Sequence, residues 1–220
     1  MGKKISIHLH SWKLSYQEAA GLQKKLAAQV IREDRLETVN TIAGIDVSVK
    51  NDLARAAVVV LNYPDLETID AVTATRRADF PYIPGLLSFR EGPVILDALE
   101  KLSIIPNLLI FDGQGIAHPR RLGIACHIGL LVDIPAIGCA KTRLCGQYQE
   151  PSLERGSHTP LLDGEEIVGT VLRTRSRVKP VFVSIGHRVD LSASINYTLS
   201  CCKGFRLPET TRRAHRLSRQ

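Results

Sequence analysis

NLLIFDGQGIAHPRRLGIA, residues 107–125, is the stretch from which the architecture of the chain can be predicted. Its apolar run, residues 108–111, is followed by Asp112 and glycines, and such a run predicts a strand buried on both faces. Because a carboxylate is costly in a core unless it is paired or binds a metal, we expect Asp112 at the carboxyl end of that strand. In open α/β sheets, ligands bind at this end. A helix is predicted to begin near Arg120.

The residues after Asp112 combine a bare backbone loop with basic groups. Gly113 and Gly115 allow backbone N–H groups to approach a ligand closely. Basic or titratable side chains follow at His118, Arg120 and Arg121. We interpret this segment as a site for a metal, a phosphate and a planar group. The alternative is an ordinary turn and helix start, which the strand–Asp–Gly pattern taken alone favours.

Length and composition indicate one α/β domain over residues 1–220. The chain has 220 residues, of which 44% are hydrophobic and 23% charged, as is ordinary for a globular protein. Its net charge of +7 favours an anionic partner such as nucleic acid, although the needs of solubility alone account for a modest charge. No apolar run reaches membrane-spanning length, so we expect no membrane partner.

The five cysteines point to a reducing compartment. Their number is odd and no secretory signal precedes them, so we expect reduced thiols and a cytoplasmic location. No C-x-x-C pair occurs, so a zinc site is not expected.

The N-terminal region is predicted to be a loosely held arm, residues 1–14, followed by a helix. Residues 15–18 form a capping box in which the Ser15 and Glu18 side chains each bond the other's backbone. Apolar residues at helical spacing extend the helix to about Ile31. Gln23 is expected on its solvent side.

Three strands are predicted next, at residues 41–50, 54–61 and 66–75. The short turns between them indicate an antiparallel meander. Asp46 lies within the first strand. It is either a metal ligand or general base, or a strand residue that faces solvent.

Residues 80–85, FPYIPG, place two prolines around an aromatic and an aliphatic residue. Proline fixes φ and removes a donor, so we predict a stiff extended loop. It is either a linker that plugs the core or an exposed apolar wedge that enters a base stack. Glu91 is predicted to open the next helix, with Pro93 in its first turn. A favourable acid at a helix N-terminus accounts for Glu91 when it is considered alone.

The C-terminal half is predicted to alternate helices and strands. The helix from about Arg120 to Val132 leads to a short strand at 136–140, and Lys141 at its end is either a phosphate contact or a surface lysine. Residues 149–164 are predicted as a loop, and residues 167–173 and 181–185 as a hairpin. Helices follow after Asp190 and from about Pro208. One face of the last helix, either a phosphate-binding stripe or a solvated basic tail, carries Arg212, His215, Arg216 and Arg219. These elements predict an α/β fold with a mixed sheet and helices on both faces.

Four sequence blocks carry a family resemblance. They are AGIDVSV (43–49), PYIPG (81–85) with Glu91 after it, FDGQGIAHPRRLGIA (111–125) and LPETTRRAH (207–215), with IGCAKTRL (137–144) between the last two. In this order they resemble endonuclease V, the deoxyinosine-specific nuclease of DNA repair. The resemblance extends from about residue 36 to residue 215, and the segment before it carries no matching motif.

The resemblance implies a ribonuclease-H-like fold in which the first and fourth strands are neighbours. Asp46 and Asp112 would then meet and hold Mg²⁺, with Mn²⁺ as a substitute, since both cations take oxygen ligands. Glu91 would complete the acidic cluster. His215 would orient the water or assist the leaving oxygen, and Lys141 would contact the scissile phosphate.

The resemblance also implies the reaction. It is metal-assisted hydrolysis of the second phosphodiester bond on the 3′ side of deoxyinosine in DNA, which leaves 3′-hydroxyl and 5′-phosphate ends. An inosine-specific endoribonuclease of the same family is the alternative. A binding module without catalysis is disfavoured by the intact acidic residues. We expect a monomer.

The resemblance also implies that the lesion is recognised by residues other than those that cut the strand. The wedge would be Pro81, Tyr82, Ile83 and Pro84. The pocket for hypoxanthine would be formed by Gly85, Leu87, Gly113, Gly115, Ile124, Ala140 and Leu144. Phosphate contacts are expected from His118, Arg120, Lys141 and Arg212.

Overall fold

One eight-stranded mixed sheet organises the residues that the computed structural model describes, 10–220. Its strands are β1 (Thr41–Lys50), β2 (Leu53–Asn62), β3 (Thr68–Arg77), β4 (Leu108–Phe111), β5 (Ala136–Ala140), β6 (His158–Asp163), β7 (Glu166–Leu172) and β8 (Val181–His187). The helices are α1 (Tyr16–Ala27), α2 (Leu87–Leu99), α3 (Ile124–Val132), α4 (Leu191–Ser200) and α5 (Glu209–Ser218). The strand order is β3-β2-β1-β4-β5-β8-β7-β6.

The pairing of β1 sets the position of the two aspartates. β1 is antiparallel to β2 and parallel to β4, with Ile45 opposite Phe111. Asp46 and Asp112 follow these two residues and therefore emerge side by side. The Asp112 N–H donates to the Ile45 carbonyl at 3.0 Å, which continues the ladder to the point where the acids begin. Two predictions are confirmed: the first and fourth strands are neighbours, and the sheet is mixed.

Alternating side chains of the central strands supply two apolar layers, as the period of two of a strand requires. Ile45 belongs to a buried cluster with Ile95 of α2 and Ile128 of α3. Ile42 belongs to a second cluster that contains Ala214 of α5. The sheet is thus covered on both faces by helices, which hold the ends of β1 and β4 in place.

Two helices begin elsewhere than the sequence predicted. α2 begins at Leu87, so Glu91 lies in its second turn and Pro93 lies inside the helix. The explanation of Glu91 as an acid at a helix N-terminus is therefore wrong. α3 begins at Ile124 and not near Arg120, because Arg121 adopts a left-handed φ of 57° that a helix cannot contain.

One strand was not predicted. β6 lies within residues 149–164 and pairs antiparallel with β7 at the edge of the sheet. It contains Pro160, which lacks a backbone donor and is tolerated in a strand mainly at an edge. Because this segment contains a proline and turn-forming residues, its composition predicted a loop instead of a strand.

The N-terminal segment is more firmly held than predicted over the residues that the structure describes. Residues 1–9 of the predicted arm lie outside the described part of the chain. Trp12 packs against Gly92 of α2, and the Nε2 atoms of His10 and His127 are 2.7 Å apart. The predicted capping box of α1 is present, but α1 ends at Ala27. Within residues 10–220, no helix combines the length and apolar character needed to cross a membrane.

Gly44 of β1 determines how closely α5 can approach the sheet. A methyl group at this position would lie 2.1 Å from both the carbonyl carbon and the oxygen of Thr210, at the start of α5. Since neither backbone can move without displacing an element, only glycine fits. α5 is the helix that carries His215, so this contact also positions a predicted site residue.

We predict that Gly44→Ala will lower the free energy of unfolding by about 3 kcal/mol, because α5 must separate from β1. Urea unfolding monitored by circular dichroism measures the change. Gly21→Ala is the matched control. Its new methyl group meets nothing within 4 Å, so it should raise stability by about 0.5–1 kcal/mol. Equal stability of the two variants would contradict the assignment.

Candidate active site

The predicted pair of aspartates meets at the carboxyl end of β4, and a histidine joins it. Ligand atoms of Asp46, Asp112 and His215 all lie within 4.8 Å of one another. β1 and β4 supply the two acids through their parallel register, and α5 supplies the imidazole. Asp46 and Asp112 are 66 positions apart in the sequence, and the pairing of β1 with β4 brings them together. The grouping therefore follows from the fold.

Asp46 is held by two side chains of α5. The Ser218 hydroxyl donates to Asp46 Oδ2 at 2.6 Å, and His215 Nδ1 lies 3.3 Å from the same oxygen. The side chain is 9% exposed, which rules out the alternative of a strand residue facing solvent. Burial raises the pKa of Asp46, and the charge of Asp112 raises it further, against the opposing effect of the Ser218 hydrogen bond.

Lys141 lies beside Asp112 at the end of β5. Its ammonium group forms an ion pair with Asp112 Oδ2. Its backbone carbonyl accepts a hydrogen bond from Arg206 Nη2 at 2.7 Å, and the same nitrogen donates to the Pro180 carbonyl at 2.8 Å. The lysine is therefore part of the site and is not an isolated surface residue.

Ser218 and Arg206 were not singled out in the sequence. Ser218 lies three residues after His215, on the same face of α5, and that spacing was the signal available for finding it. Arg206 lies in a loop, and its contact with Lys141 depends on tertiary structure that no local pattern shows.

Glu91, in the second turn of α2, is close enough to Asp46 and Asp112 for their charges to act on it, but it is not part of the group of ligand atoms formed by Asp46, Asp112 and His215. Burial raises the pKa of its carboxyl group to about 8, and the charges of Asp46 and Asp112 contribute to the increase. The three acids thus influence one another, and the basic groups near them are Lys141, His215 and Arg90. Carboxylate oxygens together with an imidazole form a donor set that suits a divalent cation, and a cation would relieve the mutual repulsion of the acids.

A pocket of about 320 Å³ adjoins the acidic cluster, with Asp112 and Lys141 in its wall. Of the seven residues predicted to form a base pocket, six line it: Gly85, Leu87, Gly113, Ile124, Ala140 and Leu144. Gly115 does not line it. Its N–H donates to the Ser184 hydroxyl at 2.9 Å, and a methyl group there would lie 2.0 Å from the Ile185 carbonyl oxygen. Gly115 therefore serves the packing of the loop against β8.

The predicted wedge borders this pocket and is fixed at both ends. Tyr82 at its tip is 70% exposed. Before it, the Phe80 carbonyl accepts a hydrogen bond from Arg90 Nη1 at 2.7 Å. After it, the Gly85 carbonyl accepts hydrogen bonds from His118 Nε2 at 2.9 Å and Arg120 Nη2 at 2.7 Å. The segment is an exposed apolar projection with anchored ends, and it does not plug the core.

The four predicted phosphate contacts all have partners within the protein. His118 and Arg120 bind Gly85, and burial lowers the pKa of His118 to about 4, so this imidazole is neutral at pH 7. Lys141 pairs with Asp112, and Arg212 pairs with Glu209 at 2.7 Å. Their contact with phosphate stays a prediction.

The raised pKa of Glu91 predicts a pH-dependent loss of stability. Below its ordinary pKa of 4.5 the carboxyl is protonated in both the folded and unfolded states. As the pH rises toward about 8, unfolding releases its proton, so the folded state becomes progressively less stable. Glu91→Gln should therefore raise the free energy of unfolding of the metal-free protein by about 1 kcal/mol at pH 8 and by less at pH 5.

Urea titrations with EDTA at the two pH values test this prediction. Glu100→Gln, at the exposed end of α2, is the matched control and should change stability by less than about 0.5 kcal/mol. A Glu91→Gln variant whose stability gain did not increase with pH would contradict the assignment.

Comparison with known proteins identifies the family. A model of the family described as endonuclease V matches residues 24–216. Endonuclease V of Nostoc punctiforme is 52% identical over 212 residues, which cover 95% of this chain and 96% of that protein. The crystal structure of endonuclease V from Streptomyces avermitilis is similar with a TM-score of 0.91 and 43% identity, covering 99% of this chain and 96% of that one. Ciona intestinalis endonuclease V, in complex with a 23mer DNA containing an inosine followed by a ribo-adenosine, has a TM-score of 0.79 and 27% identity, over 94% of this chain and 97% of that one. The chain therefore belongs to the endonuclease V family of nucleases.

Proposed function

We propose that this protein is a DNA-repair endonuclease that recognises deoxyinosine and hydrolyses the second phosphodiester bond on its 3′ side. The products would carry 3′-hydroxyl and 5′-phosphate ends. The observation that carries the proposal is the adjacency of two features: the cluster of Asp46, Asp112 and His215, and a pocket bordered by the exposed Tyr82. The inosine-containing DNA bound to the Ciona protein supports the choice of substrate.

Asp46 and Asp112, with His215 beside them, would hold Mg²⁺ or Mn²⁺. When bound, such a cation supplies positive charge to the phosphodiester and lowers the pKa of water. Lys141 places an ammonium group at Asp112, where it offsets charge on the scissile phosphate. His215 orients the attacking water, and Ser218 keeps the Asp46 carboxylate aimed at the site. Glu91 completes the acidic cluster.

Recognition takes place in the neighbouring pocket. The flipped hypoxanthine enters it, and the wedge fills the gap that the base leaves in the stack. Backbone N–H groups of the loop at Gly113 pair with O6 of hypoxanthine. Adenine presents an amino group at that position, so these donors would be left without an acceptor. Asp112 and Lys141 line the pocket wall, so the base and the cut phosphodiester occupy adjoining sites.

An inosine-specific endoribonuclease is the second candidate. The ribo-adenosine that follows inosine in the DNA bound to the Ciona protein favours it, because that nucleotide carries a 2′-hydroxyl group beside the lesion. The proposed pocket recognises the base and does not by itself distinguish the two sugars.

Mapping of the cut site on a duplex with a single deoxyinosine tests the proposal. With Mg²⁺ we expect one product, cut at the second phosphodiester on the 3′ side, and with EDTA no product. The same sequence with adenine in place of hypoxanthine is the control. Equal cutting of the control would contradict recognition of inosine, and cutting in EDTA would contradict the metal assignment. A matched RNA that is cut faster than the DNA would favour the second candidate.

Two variants should separate recognition from cleavage. Asp112→Ala should keep the affinity for deoxyinosine DNA and reduce cutting by about 10²–10³-fold, because it removes a metal ligand. Tyr82→Ala should weaken selective binding about tenfold, since an aromatic ring that stacks on a base contributes at least about 1 kcal/mol.

Fluorescence anisotropy and single-turnover cleavage measure the two effects. Tyr16→Ala is the matched control for Tyr82, because Tyr16 is also exposed, at 54%, but lies on α1. Normal cutting by Asp112→Ala, or equal binding by the two tyrosine variants, would be contrary to these assignments.

A further inference from the structure

Gln23 of α1 is a buried amide whose hydrogen-bonding groups all contact the border of the pocket. It is 1% exposed, contrary to the expectation that it faces solvent. Its Nε2 donates to the Gly85 carbonyl at 3.0 Å and to the Leu122 carbonyl at 3.1 Å. Its Oε1 accepts a hydrogen bond from Arg120 Nε at 2.5 Å. The amide thus joins α1 to the wedge side of the pocket and to the loop that follows β4.

The Gly85 carbonyl is the common point of this network. It accepts hydrogen bonds from Gln23, His118 and Arg120. These three donors hold the backbone in place at the end of the wedge. The φ of Gly85 is +79°, a left-handed value, and a methyl group there would lie 2.9 Å from Arg120 Nη2. Glycine is therefore favoured at this position by its left-handed backbone conformation.

The apolar face of α1 supports the same segment. Ala19 belongs to a buried cluster with Phe80, Leu86 and Phe89, and Leu22 and Ile83 pack against it. Phe80 and Leu86 are the buried residues on either side of the wedge. An apolar residue at position 23 would satisfy burial alone, whereas a fully bonded amide also sets direction and distance.

We propose that Gln23 is a positioning residue for lesion recognition, which holds the wedge side and the loop side of the pocket at a fixed separation. The proposal rests on the proposed recognition of inosine. It assigns Arg120 and His118 to the same network, because their donors are directed at Gly85. Gln23 touches neither Asp46 nor Asp112 in this arrangement, so its removal should affect discrimination of the base and leave the chemical step unchanged.

Gln23→Met tests the proposal, because methionine keeps the length and helix propensity of the side chain but makes none of the three hydrogen bonds. Gln17→Met, the same substitution at an exposed position of α1, is the matched control. Without DNA, amide hydrogen exchange of the peptide covering residues 80–89 should be about tenfold faster in Gln23→Met than in Gln17→Met.

With DNA, the ratio of affinities for deoxyinosine and adenine duplexes should fall about tenfold in Gln23→Met. The cleavage rate at saturating deoxyinosine DNA should stay within about twofold of the parent. If Gln23 only stabilised the fold, its substitution would lower the cleavage rate together with the affinity, or would change neither. Arg120→Met should reproduce the loss of selectivity without changing the salt dependence of binding to undamaged DNA, whereas loss of a phosphate contact would reduce that dependence.

If Gln23→Met does not fold, Gln23→Glu provides the same test, because it keeps an acceptor for Arg120 and loses both donors. Exchange and selectivity equal to those of Gln17→Met would overturn the proposal. A parent protein that does not distinguish inosine would overturn the proposed function instead, and the exchange measurement, made without DNA, would still decide whether Gln23 fixes the wedge.

Discussion

Repulsion between carboxylates gathered where β4 ends beside β1 is the constraint on which the site depends. The parallel pairing of these strands brings Asp46 beside Asp112, and α2 adds Glu91. Burial and the neighbouring charges raise the pKa of Asp46, and they raise that of Glu91 to about 8. Such an arrangement opposes folding unless the acids are protonated or positive charge is supplied. Lys141 supplies part of it through its ion pair with Asp112, and a divalent cation would supply the rest.

The rest of the fold keeps these acids together against their repulsion. β1 pairs along its whole length with β2 and over residues 42–45 with β4, and the absence of a side chain at Gly44 lets α5 pack directly on it. Through that contact α5 brings Ser218 and His215 to Asp46. A buried site of like charges needs such rigid supports, because its own interactions do not hold it together.

The sequence predicted those parts of the structure that depend on local periodicity. The boundaries of β1 and β4 and the capping box of α1 follow from apolar alternation, a buried run and a reciprocal side-chain bond. The predicted start of α3 was wrong because Arg121 adopts a left-handed conformation that its residue type does not indicate. Gln23 was assigned to solvent because periodicity sorts residues by polarity, whereas burial of this amide depends on Gly85, Arg120 and Leu122, which lie far from it in the chain. The resemblance to a known family supplied the pairing of Asp46 with Asp112, which no local pattern contains.

Under the proposed function, recognition and catalysis place opposite demands on this part of the molecule. The acidic cluster needs charge that is destabilising without a cation, whereas the wedge needs a fixed position before the base arrives, since ordering it on binding would cost affinity. Different helices support the two parts: α5 contacts Asp46 through Ser218, and α1 contacts Gly85 through Gln23. The match to the family model begins at residue 24, immediately after Gln23. If the proposed role of Gln23 is right, α1 determines how firmly the wedge is held through the three hydrogen bonds of one side chain.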